Sequence, residues 1–286
     1  MKTKLISPVC LVLALVFLLC LASCTKPEKS EDPTPEIDNP TIRLSTTTSV
    51  NDSGLLPYIQ PYFEEASGYK LEVTSAGTGA AIEKARTGDA DMLLVHAKAS
   101  EDEFISEGYS SERIPFMYNF FIIAGPKEDP AGTRDCGSAS EAFNNIADGD
   151  YIFISRGDES GTHKAELKIW DAAGIAPDAS SDEWYISAGA GMGACITMAE
   201  EKQAYVLSDK ATFITNNNSL EILLEKSDDM KNTYSMLIVS TEKWPDTNTE
   251  GAQAFVDWML SDDAKDLISA YGSEEYGQQL FFNIDE

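Results

Sequence analysis

From residue 41 onward, short apolar runs alternate with segments whose apolar residues recur at helical spacing, and this alternation confines the chain to the α/β class. Ile42 to Thr46 reads as a first strand. Leu55, Ile59, Tyr62, Phe63 and Ala66 then share one helical face, which Asp52 or Ser53 can cap and Gly68 ends. Leu71 to Ser75 is a second strand, a short helix with Ile82 and Ala85 on one side runs to Gly88, and Met92 to Val95 is a strand buried on both faces. Ser100 with Glu103, and Ser138 with Glu141, have the spacing of a capping box. Phe116 to Gly125 is a long apolar strand that leaves this first lobe. Tyr151 to Ser155 opens a second lobe, and Tyr234 to Ser240 returns, with the helical stretches around Phe255, Met259, Leu267 and Ile268 packing back on the first. The expected division is 41–123 and 234–286 in lobe 1 and 124–233 in lobe 2, joined by two crossover strands that make a hinge.

The segment before residue 41 points to a location. Lys2 and Lys4 precede a nearly unbroken apolar run from Val9 to Ala22, too short for a comfortable membrane span, so residues 1–23 read as a signal peptide. Leu21-Ala22-Ser23-Cys24 resembles the bacterial lipobox, which implies lipidation at Cys24. Residues 24–40 then read as the lipidated cysteine and a tether, because four prolines and several acids among few apolar residues cannot build a core. The expected location is the cell envelope, anchored by lipid and facing the extracytoplasmic side. Of the cysteines that remain, Cys136 and Cys195 could pair in an oxidising compartment, but without a spacing motif they read rather as separate buried thiols.

A formal charge of −27 argues against nucleic acid as a partner. It does not exclude a small anion, since surface charge is screened within about 8 Å at physiological ionic strength while a desolvated site feels its own donors. Three strand-to-helix turns supply such donors. Ser45-Thr46-Thr47-Thr48-Ser49 and Ser75-Ala76-Gly77-Thr78-Gly79 bring hydroxyls and helix N–H groups to the carboxyl ends of the first two strands. The third, Ser155 to His163, adds Arg156, whose guanidinium can hold two oxygens of a tetrahedral anion while Ser160, the Gly161 amide and Thr162 hold others. Arg156 could instead pair with Asp158 or Glu159 on the surface. His96, directly after the third strand, should reach the same cleft edge and donate a hydrogen bond, which suits a fully deprotonated dianion better than phosphate. His163, inside the helix after Thr162, reads as structural.

These motifs resemble those of the tungstate-binding proteins of ABC importers, and more distantly the phosphate-binding ones. The resemblance runs through Thr46-Thr47-Thr48-Ser49, Ala76-Gly77-Thr78-Gly79, Gly88-Asp89-Ala90-Asp91 to His96, Met117-Tyr118-Asn119, Ser155 to His163 and Gly191-Met192-Gly193. It departs at Phe120, where the family usually has aspartate, and at Lys210-Ala211-Thr212, where it has Arg-Gly-Thr. The resemblance implies a type II periplasmic binding protein fold with the ligand in the cleft between the lobes. It implies Thr47, Thr78, Arg156, Ser160, Gly161 and Thr162 as ligand contacts, with Thr48, Ser75 and His96 as further candidates. The implied ligand is tungstate or molybdate, with sulfate and phosphate as alternatives. ABC transporter permease subunits are the implied partners of a monomer, and no cofactor, metal-cation site or enzymatic activity is implied. A serine hydrolase built on Ser160, His163 and Asp158 is the rival from another class. The spacing opposes it, because Asp158 and Thr162 occupy positions that a nucleophile elbow gives to glycine.

Overall fold

The computed structural model describes residues 37–216 and 218–284, so the expected leader, Cys24 and most of the tether lie outside the described residues. Ten strands are formed among them: β1 (Thr41–Thr47), β2 (Lys70–Ala76), β3 (Met92–Val95), β4 (Ile114–Gly125), β5 (Phe153–Ser155), β6 (Tyr185–Ser187), β7 (Tyr205–Asp209), β8 (Glu221–Glu225), β9 (Lys231–Ile238) and β10 (Phe282–Asn283). They order as β2-β1-β3-β9-β4-β7-β5-β6, with β8 and β10 pairing to β4 off this path. β1 is parallel to β2 and β3, and β9 returns antiparallel to β3.

β4 belongs to both halves of the sheet. Ile114 to Phe120 pair with β9, whereas Phe121 to Gly125 pair with β7 and β8. This twelve-residue strand runs through both halves, and β9 carries the chain back to the first. In the second half the period-two alternation of strands builds a core on each face. Phe153 and Tyr205 point toward Phe143 and Trp170, while their neighbours Ile154 and Val206 point toward Cys195, Ile196 and Phe213. In the first half Ile82, Leu93, Val95, Phe104 and Leu237 close one face of the sheet.

Three local expectations are corrected. The helix Leu55–Ser67 has left-handed Gly54 at its N-cap position, because residues 48–52 already form a helical turn; Ser53, one residue earlier, donates Oγ to Val50 O and accepts from Leu55 N at 3.4 Å, and Asp52 caps nothing. The helix Lys98–Ser106 begins two residues before Ser100, which lies within its first turn and caps nothing. Ser138 does cap its helix by accepting from Glu141 N, but the Glu141 carboxylate takes Gly137 N, one residue before the cap. Cys136 and Cys195 are separate buried thiols, and burial pushes the Cys195 thiol up to about 11. Among the described residues no helix is long and apolar enough to cross a membrane.

Candidate functional site

Parallel pairing of β1 with β2 and β3 sets their carboxyl ends side by side, with Thr47 opposite Ala76 and Thr46 opposite both Ser75 and Leu94. Each of these ends turns directly into a helix or loop, so Thr47, the Gly77-Thr78 turn and His96 meet along one edge. Ser45 and Thr46 spend their hydroxyls holding this edge in place, donating to Ala81 O and Leu94 O. Thr47 Oγ1 lies 3.1 Å from both Ser49 Oγ and His96 Nε2, and Ser49 Oγ lies 2.8 Å from the same nitrogen.

The far side of the imidazole determines its role. His96 Nδ1 is 2.9 Å from Asn232 Oδ1, while Asn232 Nδ2 donates to Asn119 Oδ1 and to the Tyr234 hydroxyl. With the amide so oriented, the imidazole proton sits on Nδ1, and Nε2 accepts from the Thr47 and Ser49 hydroxyls. Desolvation by burial, with the Arg156 charge adding to it, lowers His96 to about 4, so the ring is neutral at pH 7. The expected donor is therefore an acceptor that orients two hydroxyls.

The second half contributes the turn after β5. Gly157 is left-handed, and a Cβ there would come within 1.9 Å of Ser187 Oγ, so only glycine lets the chain pass β6. This bend holds Arg156 almost fully buried, 4% exposed. Its Nη2 is 2.6 Å from Asp158 Oδ2, and Asp158 Oδ1 accepts from Ser160 N. The pairing anticipated for Arg156 exists, between a buried guanidinium and a partly exposed carboxylate. Burial works to raise the Asp158 carboxyl, yet Ser160 and the guanidinium outweigh it and hold it below the usual range. Ser160 caps the helix Gly161–Ala172 by accepting from His163 N, and His163 Nδ1 accepts from Glu159 N. No Ser160–His163 side-chain dyad forms, and His163 is structural. Beneath the turn, Glu166 Oε1 accepts from the Tyr185 hydroxyl and Trp170 Nε1, and burial pushes its carboxyl up to about 7.

The two halves meet at this point. A Cβ on Gly161 would lie 2.6 Å from His96 Cε1, and Lys164 Nζ donates to Ser100 Oγ at 3.0 Å. Besides Asn119 Nδ2, Ser155 Oγ, Thr212 Oγ1 and Ser235 Oγ, the buried polar atoms with no protein partner among the described residues include three in the donor turns: Thr78 Oγ1 from the first half, and Arg156 Nε and Thr162 Oγ1 from the second. All three can donate. Leaving such atoms unpaired costs about 1–3 kcal/mol each, which a ligand with acceptor oxygens would recover. Asp209 Oδ2 is also unpartnered, but burial pushes that carboxyl toward its protonated form.

Of the residues expected in the site, Thr47 and His96 thus share one hydrogen-bonded cluster, and Arg156, Ser160, Gly161 and Thr162 share one turn. Thr78 opens the helix beside Thr47, and Thr48 is half-buried in the same turn as Ser49. Ser75 is exposed on the edge strand and makes no side-chain hydrogen bond with the others. Sequence reasoning passed over Ser49, Asn119, Asn232 and Asp209. Ser49 and Asn119 stand inside motifs already singled out, and Asn232 is a buried amide at the head of an apolar strand, a signal that carries no partner's name. Phe120 packs on Tyr118 and Phe282, and Lys210 is tied to Glu225 at 2.5 Å.

A family model described as a periplasmic-binding-protein (PBP) superfamily domain matches residues 34–263. The tungstate-binding protein TupA of Peptoclostridium acidaminophilum is 40% identical over 278 residues, covering 94% of this chain and 96% of its own length. Among solved structures, a tungstate ABC transporter protein of Geobacter sulfurreducens is 39% identical with a TM-score of 0.75, covering 81% of this chain and 98% of that one. The tungstate-binding protein TupA of Desulfovibrio alaskensis G20 is 36% identical with a TM-score of 0.76, covering 86% of this chain and all of that one.

Proposed function

Because the chain belongs to the periplasmic-binding-protein superfamily, and within it to the tungstate-binding proteins of ABC transporters, we propose that it captures a tetrahedral oxyanion, tungstate first, outside the cytoplasmic membrane and delivers it to an ABC importer. The site binds and releases; it catalyses nothing. The observation that carries this reading is the set of unpartnered buried donors Thr78 Oγ1, Arg156 Nε and Thr162 Oγ1, drawn from both halves of the sheet. A fully deprotonated dianion offers acceptors only and matches that set. Protonated phosphate brings a donor, and His96 Nε2 already accepts from Thr47 and Ser49.

Because Asp158 matches the charge of Arg156, the anion is held as much by oriented hydroxyls and helix-start amides as by net charge. The strand pairing supports two lobes that share β4, with the anion set between the Thr47 turn and Thr78 on one side and Arg156, Ser160, Gly161 and Thr162 on the other. The lipobox-like Cys24 supports a lipid anchor, which keeps the binding domain near permease subunits in the membrane. Calorimetric titration of the soluble domain with tungstate, molybdate, sulfate and phosphate tests the reading. Tungstate and molybdate are expected to bind and phosphate to bind weakly or not at all; no heat with any of the four would remove it.

A further inference from the structure

A cavity of about 560 Å³ opens beside the donor cluster, and His96, Gly161 and Asn232 form part of its wall. The rest of that wall is unusual for a chain of formal charge −27. It carries Lys98, Arg113, Lys164, Lys168 and Lys231 against the two carboxylates Asp102 and Asp229. Two of the cations are neutralised, Lys98 by Asp102 at 2.5 Å and Arg113 by the buried Glu101. Asp229 accepts from Ala139 N and Ser140 N at the start of their helix and is the one carboxylate of this wall that no cation pairs among the described residues, set against three unpaired lysines.

The other three lysines keep their charge. Lys164 Nζ donates to the neutral Ser100 Oγ, Lys231 Nζ sits 4.0 Å from the centre of the Tyr118 ring, and among the described residues none of Lys164, Lys168 and Lys231 pairs with a carboxylate. All three are exposed, so holding them around one opening serves no packing need. A dianion approaching this chain meets a repulsive surface nearly everywhere. Since charges farther than about 8 Å are screened at physiological salt, capture is governed by the charges around the entrance.

We propose that this cavity is an anion-collecting vestibule, in which Lys164, Lys168 and Lys231 draw a tetrahedral dianion to the seam between His96 and Gly161. From there it passes to the donors within. The proposal rests on the oxyanion reading of the adjoining site. It assigns the lysines to the rate of capture and leaves retention to the buried donors.

Stopped-flow tryptophan fluorescence with tungstate, over a series of salt concentrations, separates the two. The variant K164Q/K168Q/K231Q, with its fold checked by circular dichroism, is expected to associate about tenfold more slowly at low salt. Its dissociation rate should stay within about twofold of the parent's. The parent's association rate should fall with added salt until the two converge, and K164R/K168R/K231R should behave as the parent. An unchanged association rate and salt dependence in the glutamine variant would overturn the vestibule. So would a change confined to dissociation, which would make the lysines closing contacts. If the parent binds none of tungstate, molybdate, sulfate and phosphate, the oxyanion reading falls, and the vestibule falls with it.

Discussion

Arg156 is nearly fully buried with one nitrogen unpartnered, and its counter-ion Asp158 is tied down by Ser160, so the residue is built for a second anionic partner. Removing one member of a buried hydrogen-bonded charge pair costs about 2–5 kcal/mol, so Arg156→Ala is expected to weaken tungstate binding by roughly 30-fold to several thousand-fold. Thr78→Ala and Thr162→Ala each remove one neutral donor, worth about 0.5–1.5 kcal/mol, or roughly two- to tenfold. Calorimetry gives the order, and equal losses at the three positions would displace the arginine from its role. Glu166, below the same turn, predicts a pH effect on stability. Its folded pKa, about 7, lies above the ordinary 4.5, so its contribution is complete below pH 4.5 and is lost as pH rises to 7. Glu166→Gln keeps an acceptor for Tyr185 and Trp170 without ionising. Thermal melts should show the variant gaining on the parent from pH 5 to 8, by about 3 kcal/mol at most; a constant difference across that range would contradict the assignment.

Helix starts and strand ends carry the site, and at this scale the expectations drawn from residue patterns succeed unevenly. The Thr46–Ser49 and Ser155–His163 turns were legible because a strand, a hydroxyl-rich turn and a helix follow one another within a few residues. The role of His96 was not, since its tautomer is set by Asn232, which is 136 residues away in sequence and arrives only when β9 returns beside β3. Gly161 shows the same dependence. Its lack of a side chain is what admits the His96 ring from the other half of the sheet. Gly161→Ala should hold the halves apart and weaken tungstate binding at least about tenfold. The melting temperature without ligand should change little, since each half keeps its own core. Retained affinity would mean that the two turns need not approach this closely.

Over the whole molecule, β4 runs through both halves and β9 carries the chain back to the first, and a ligand bridging turns from both halves should favour a closed arrangement. Small-angle scattering is expected to show a smaller radius of gyration on saturation with tungstate; identical profiles would remove the hinge while leaving static binding. The anchor is tested at the same scale. Cys24→Ala should leave the domain folded and able to bind, yet release it from the membrane fraction or block its processing. Normal processing with full retention in the membrane pellet would count against lipidation.

Six of the ten strands, the three donor turns and the lipobox-like cysteine follow from residues close together in the chain, where periodicity, capping chemistry and turn composition act over a few positions. Contacts between distant segments needed the fold. Hydrogen bonds at about 3 Å decide whether His96 donates or accepts, whether Arg156 pairs at the surface or inside, and which hydroxyls remain free. Those distances are set by packing Asn232, Asp158 and Gly161 against partners that no local pattern specifies. The clustering of lysines at one opening of an acidic protein is of the same kind, because charge counted along the chain is an average while a dianion feels only the charges within a screening length.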